Sequence, residues 1–150
     1  MITCTFAGHR DIFNANIRYL IDEAIENILK KDDTFLFYSG DMGDFDKMCS
    51  SSVRAAQKRH PELNIKLVLV LPYMIKKLNT DKDYYEKMFD SIIIPVELAE
   101  VYYKSAITKR NRWIIQRSDY LISYVYKDFG GAFTTLKYAE KLNKNIIYLC

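Results

Sequence analysis

The chain has 150 residues, 49% of them hydrophobic, which is one globular domain's worth of sequence with enough apolar surface for a core. Its 22 basic and 19 acidic residues are interleaved and leave a net charge of +3, so charge alone names no partner. Cys4, Cys49 and Cys150 are odd in number, far apart and in no C-x-x-C pair, so neither a disulfide framework nor a zinc cluster is suggested. With no signal-peptide pattern and no membrane-length apolar run, a cytoplasmic protein without membrane contact is expected.

Ile2 to Phe6 reads as a short strand, followed by the Gly8-His9-Arg10 turn. From Asn14, a candidate N-cap, the residues Ile17, Leu20, Ile21, Ala24, Ile25, Ile28 and Leu29 fall on one helical stripe. The unit repeats: Thr34 to Ser39 is a strand, "GDMGDFD" a glycine loop, and Asp46 to Arg59 a helix stopped near His60-Pro61 by proline's bias against helix at the residue before it. Ile65 to Leu71 is an aliphatic run interrupted only by Lys66, the pattern of a strand covered on both faces. Pro72 to Lys77 reads as a turn or short helix, Asp81 to Phe89 as a short helix, and Ser91 to Ile94 as a strand ended by Pro95. Ser105 to Ser118 is a helix, Asp119 to Val125 a strand, Thr134 to Leu142 a helix, and Asn145 to Leu149 a strand. This alternation predicts a Rossmann-like three-layer α/β/α domain, its sheet mainly parallel, with the whole chain as a single domain.

In such sheets, ligands bind beyond the carboxyl ends of the strands, where loops feed helix N-termini. All five glycines fall in these loops: Gly8, Gly40, Gly43, Gly130 and Gly131. A glycine lets backbone N–H groups approach a phosphate with no Cβ in the way, and the following helix dipole favours an anion. The same glycines would also serve for tight turns. Gly130 and Gly131, followed by Thr134 and Thr135, are the candidate phosphate cradle.

The segments "FAGHRD", "FYSGDMGDFDKMC", "KLVLVLPYM", "AITKRNRWIIQRSDYLISYV" and "GGAFTTLKYAEKLNKNIIYL", in this order, resemble the SLOG superfamily, the Rossmann-like relatives of DprA and the Lonely Guy proteins. They look closest to its small single-domain bacterial branch, similar to YpsA. The resemblance implies a nucleotide or nucleotide-derived ligand at the loop edge, and pairing of domains through their helices. Lonely Guy enzymes split the N-glycosidic bond of nucleoside monophosphates with a P-G-G-x-G-T-x-x-E motif. This chain reads Phe129-Gly130-Gly131-Ala132-Phe133-Thr134-Thr135-Leu136-Lys137, without the proline, the third glycine or the glutamate. Glu140 lies one helical turn too far on.

Arg10, in the family's G-H-R position, is a candidate phosphate ligand through two parallel hydrogen bonds, or else a surface partner of Asp11 or Asp44. His9 is a candidate for hydrogen bonding to ribose or base, for proton transfer, or for capping a loop carbonyl. Asp44 and Asp46, with Asp41 nearby, are candidates for a helix cap, for ribose recognition, or for Mg²⁺ bound together with substrate phosphates; no resident metal is expected. Arg110 and Asn111 share a helix side with Ile107 and Ile114 and should face the sheet edge, while Arg112 and Arg117 suit either the site or a solvated face. Tyr73, with Phe45 and Phe133, would stack on a base or belong to the core. Ser39 and Cys49 lack any nucleophile setting.

The expected function is binding or sensing of a nucleotide-like small molecule. The alternative is an N-glycosidic hydrolase or transferase with Asp46, Asp44 or Glu97 in place of the lost glutamate. DNA binding in the manner of DprA would need a concentrated basic face. The sequence offers only Lys104 to Arg117, so nucleic acid is not an expected partner.

Overall fold

A computed structural model describes residues 1–99 and 101–150. Six strands, β1 (Ile2–Gly8), β2 (Thr34–Ser39), β3 (Asn64–Val70), β4 (Ser91–Ile93), β5 (Tyr120–Tyr124) and β6 (Asn145–Tyr148), form one sheet in the order β4-β3-β2-β1-β5-β6. Every pairing is parallel, so the expected mainly parallel sheet is wholly parallel. The crossover helices are α1 (Ile17–Leu29), α2 (Gly43–Arg59), the short α3 (Lys77–Thr80) and α4 (Lys82–Met88), α5 (Tyr103–Gln116) and α6 (Gly131–Lys141). A 3-10 turn over Val96–Leu98, not foreseen in the sequence, follows β4. No helix among the described residues is long and apolar enough to cross a membrane.

The period-2 alternation of the strands distributes the core between two faces. Cys4, Phe6, Phe35, Phe37, Leu67 and Leu69 point to the face covered by α1 and α2, where Ile21, Ile25 and Ile28 are fully buried. On the opposite face Leu121 and Ala7 meet Ile115, Leu136 and Ala139, while Tyr38, Val68 and Val70 meet Ile114. Helix α1 packs on α2, and α5 on α6.

Helix boundaries moved where local chemistry overrode propensity. Helix α1 starts at Ile17, because Asn14 spends its side chain on a preceding turn: Oδ1 accepts the Asn16 N–H at 2.9 Å. Asn14 is therefore not the N-cap. Helix α2 starts at Gly43, three residues before the expected Asp46, because the Asp46 carboxylate reaches back to accept the Met42 N–H at 3.2 Å. Helices α5 and α6 also begin earlier than expected, α6 directly at Gly131.

The strand order places the site. The chain runs outward from β1 through β2, β3 and β4, then returns to the other side of β1 as β5. The loops leaving β1 and β5 thus feed helices on opposite faces and leave a crevice between them, the usual ligand position in an open parallel sheet.

Candidate functional site

The crevice is a cleft of about 480 Å³. The β1 loop contributes Gly8, His9, Arg10 and Asp11; the start of α2 contributes Met42 and Asp46. Helix α5 contributes Ile107, Arg110 and Asn111, and the far wall is Lys127, Phe129, Gly130, Gly131, Ala132 and Thr135. Arg110 and Asn111 thus lie on the cleft side of α5 together with Ile107.

Gly8, Gly40 and Gly43 serve the protein's own packing. A Cβ on Gly8 would lie 2.5 Å from Phe45 Cγ, and one on Gly40 would lie 3.1 Å from the Arg110 guanidinium carbon. Gly43, at φ +83°, would bring a Cβ to 2.8 Å from Arg10 Cγ. Only Gly130 and Gly131 face open space, with no atom within 4 Å of a built Cβ, and Gly130 sits at φ +95°.

The open pair also forms the N-terminus of α6. Gly130 occupies the cap with no side-chain hydrogen bond, and the first amide with a backbone partner is Thr134, bonded to Gly130 O at 3.0 Å. The N–H groups of Gly131, Ala132 and Phe133 precede any intrahelical acceptor, which is the anion-binding arrangement of a helix N-terminus. The hydroxyls of Thr134 and Thr135 donate to Gly130 O and Gly131 O, at 3.0 and 2.9 Å. Their protons are therefore committed to the helix backbone. Thr134 also turns away from the main cleft into a side groove of about 240 Å³ shared with Asn111, Thr135 and Tyr138.

Arg10 is exposed and forms no ion pair among the described residues; pairing with Asp11 or Asp44 is not what the structure shows. Its carbonyl is engaged instead, accepting the Asp44 N–H at 3.3 Å. The exposed Asp44 carboxylate lies in the first turn of α2, outside the cleft lining, where it complements the helix dipole.

His9 is 9% exposed, and its Nε2 accepts the Lys127 N–H at 3.1 Å. That bond assigns the remaining ring proton to Nδ1 and ties the β1 loop to the β5 loop. Burial first, then nearby Lys127, lowers the His9 pKa below its ordinary value, so the ring stands neutral. Packing edge-on against Tyr126 at 4.5 Å fixes its plane.

Asp46 lines the cleft and, through Met42, also acts as a local cap. Burial pushes its carboxyl from 3.8 to about 7, against the opposing pull of the Met42 N–H, Arg110 and Arg10. Arg110 is 2% exposed: Nη1 donates to Val70 O at 2.8 Å, Nε to Asn111 Oδ1 at 2.8 Å, and among the described residues Nη2 reaches only the Met42 sulfur at 3.1 Å. Desolvation lowers its pKa from the ordinary value, with Asp46 opposing.

The other candidates lie elsewhere. Glu97 sits on the outer surface, paired with Arg117 at 3.0 Å and accepting from the Trp113 indole, and does not line the cleft. Phe45 is 1% exposed, stacked on Tyr124 in the core, so it reads no base; Phe133 lies under Lys137 on the outer side of α6. Gly40 and Tyr73 border a neighbouring compartment that shares Arg110. Arg112 covers Tyr138, and Arg117 covers Trp113. The three acids around Gly43 do not converge: no group of three or more His, Cys, Asp or Glu side chains that could hold a metal occurs among the described residues. Met42, Ile107, Lys127, Phe129 and Ala132 line the cleft without having been singled out as contacts, although Lys127 and Phe129 sit just ahead of the glycine pair.

No family model and no curated protein matches the chain. Solved structures do. The DNA processing protein A (DprA) of Streptococcus pneumoniae matches with a TM-score of 0.67 at 16% identity, over 98% of this chain and 50% of that one. DprA of Helicobacter pylori, described for its single-stranded DNA binding mode, matches with a TM-score of 0.64 at 17% identity, over 98% and 64%. The chain thus spans about half to two-thirds of these proteins, and the likeness establishes a DprA-like Rossmann fold.

Proposed function

We propose that the chain binds a nucleotide or nucleotide-derived small molecule, its phosphate resting on the N-terminus of α6. The carrying observation is the unfilled space over Gly130 and Gly131 beside unpartnered amides, across a cleft from an unpaired guanidinium on Arg10. Backbone amides supply directional donors, and Arg10 adds charge that is strongest when the phosphate excludes water. The small single-domain SLOG branch is the family setting proposed with this reading, in a cytoplasmic protein, with self-association through its helices. Mg²⁺ would enter only together with ligand phosphates.

Asp46 supports a second reading, hydrolysis or transfer at an N-glycosidic bond. A cleft carboxyl that titrates near neutrality can give and take a proton under physiological conditions. The DprA likeness supports a third, a single strand laid with one backbone phosphate at the same amides.

Incubation with nucleoside monophosphates, followed calorimetrically and by chromatography for free base, separates these readings. Binding without base release is the expected result. Base release that disappears in Asp46→Asn moves the assignment to the enzyme. Tight oligonucleotide binding with steep salt dependence and no mononucleotide binding moves it to nucleic acid.

A further inference from the structure

Beside the cleft lies a second compartment of about 720 Å³ at the carboxyl ends of β2 and β3. Its floor is apolar, from Leu69, Leu71 and Tyr85, and its rim carries Tyr73, Tyr84 and Lys77. Tyr73 and Tyr84 are 40% and 46% exposed, so two rings stand open over an apolar floor with a lysine beside them. Asp41, held at φ 51° on the β2 loop, and Asp81 supply acceptors there for sugar hydroxyls.

The two spaces share one wall, made of Met42, Ile107 and Arg110. Arg110 is the informative member. It is a buried cation with no carboxylate within ion-pair distance among the described residues, and one of its terminal nitrogens meets only a thioether. A buried guanidinium held by neutral acceptors is electrostatically incomplete, and an anion arriving from either space would complete it.

We infer that the ligand has two ring-bearing halves joined through phosphate, a dinucleotide rather than a mononucleotide. One phosphate sits on the α6 amides and the linkage passes Arg110. The second ring enters the Tyr73 and Tyr84 compartment. The inference rests on the proposed phosphate site and adds the ligand's other half. Gly40 belongs to the same design, since its missing Cβ is what lets the guanidinium lie against the β2 loop.

The test is calorimetry on the full chain and on Tyr84→Ala, using adenosine monophosphate, a pyrophosphate-bridged diadenosine and a short single-stranded oligoadenylate. Tyr84 is a surface residue outside the first cleft, so its truncation leaves the phosphate site intact. The diadenosine is expected to bind the wild type roughly 10-fold or more tightly than the monophosphate, and to lose that gain in Tyr84→Ala while monophosphate affinity stays the same. Equal affinities for the two ligands, or a gain that survives Tyr84→Ala, would overturn the two-half ligand and leave the phosphate site standing. Binding of neither compound would remove both readings. A gain shown by the oligoadenylate alone would assign the second compartment to a strand and overturn the dinucleotide.

Discussion

At the residue scale, the five glycines separate into two physical kinds. Gly8→Ala forces a methyl into the Phe45 ring within a filled core, and overpacking of this kind destabilises by about 1–3 kcal/mol. A fall in thermal midpoint of roughly 3–10 °C is the expected readout. Gly131→Val meets nothing in the folded protein, so its midpoint should stay within a few degrees while phosphate binding is lost to steric obstruction. Arg10→Ala likewise removes no ion pair and should leave stability unchanged, but weaken phosphate binding roughly 10-fold or more, measured by calorimetry. If Gly131→Val and Arg10→Ala both bind with full affinity, the phosphate lies elsewhere.

Asp46 adds a pH dependence with a definite sign. Its folded pKa of about 7 exceeds the unfolded value of 3.8, so between these values the folded state holds the extra proton. Its contribution is therefore most favourable below about pH 4, declines as pH rises through 7, and stays lost above that. A shift of this size bounds the effect at about 4 kcal/mol. His9, whose folded pKa is lowered, acts in the opposite direction near its own titration, and His60, raised by Glu26, acts in the same direction as Asp46. Comparing denaturant midpoints of wild type and Asp46→Asn from pH 4 to 8 isolates the Asp46 part: the variant should gain relative stability as pH rises. A constant difference across that range would contradict an elevated Asp46 pKa.

At the element scale, the strands were legible because buried aliphatic and aromatic runs such as 34–39 and 65–71 have few alternatives. The helix starts were less so. They depend on side chains whose choice of partner is not written in periodicity: Asn14 turns to Asn16, and Asp46 turns back to Met42. The lining of the cleft was legible where it rests on position just after a strand, as for Gly130, Gly131 and Arg10, and, for Arg110, on helical register with Ile107. Gly8, Gly40 and Gly43 could not be told in sequence from glycines that admit a ligand because each also has a packing role, and Phe45 took the core alternative rather than the base-stacking one. Composition cannot distinguish a glycine that admits a ligand from one that admits a phenyl ring. Glu97 follows β4 in the chain, but β4 lies three strands from β1, so sequence order placed it near chemistry that topology keeps at a distance.

At the scale of the whole molecule, a wholly parallel sheet with its reversal between β1 and β5 explains why one rim collects the chemistry. The same architecture in DprA proteins means that fold alone does not choose between a free nucleotide and a strand. Charge offers the choice. The basic side chains from Lys104 to Arg117 are dispersed: Lys104 and Lys109 are exposed, Arg110 is buried inward, and Arg112 and Arg117 lie over aromatic rings. A strand reader would be expected to lose affinity steeply between low and moderate salt, whereas a single-phosphate site should change only slightly.

The most direct measurement is a two-dimensional amide NMR titration with adenosine monophosphate. The largest shifts should fall on the backbone N–H groups of Gly131, Ala132 and Phe133, accompanied by Arg10. Shifts confined to other loops, or none at millimolar ligand, would contradict a phosphate seat on α6.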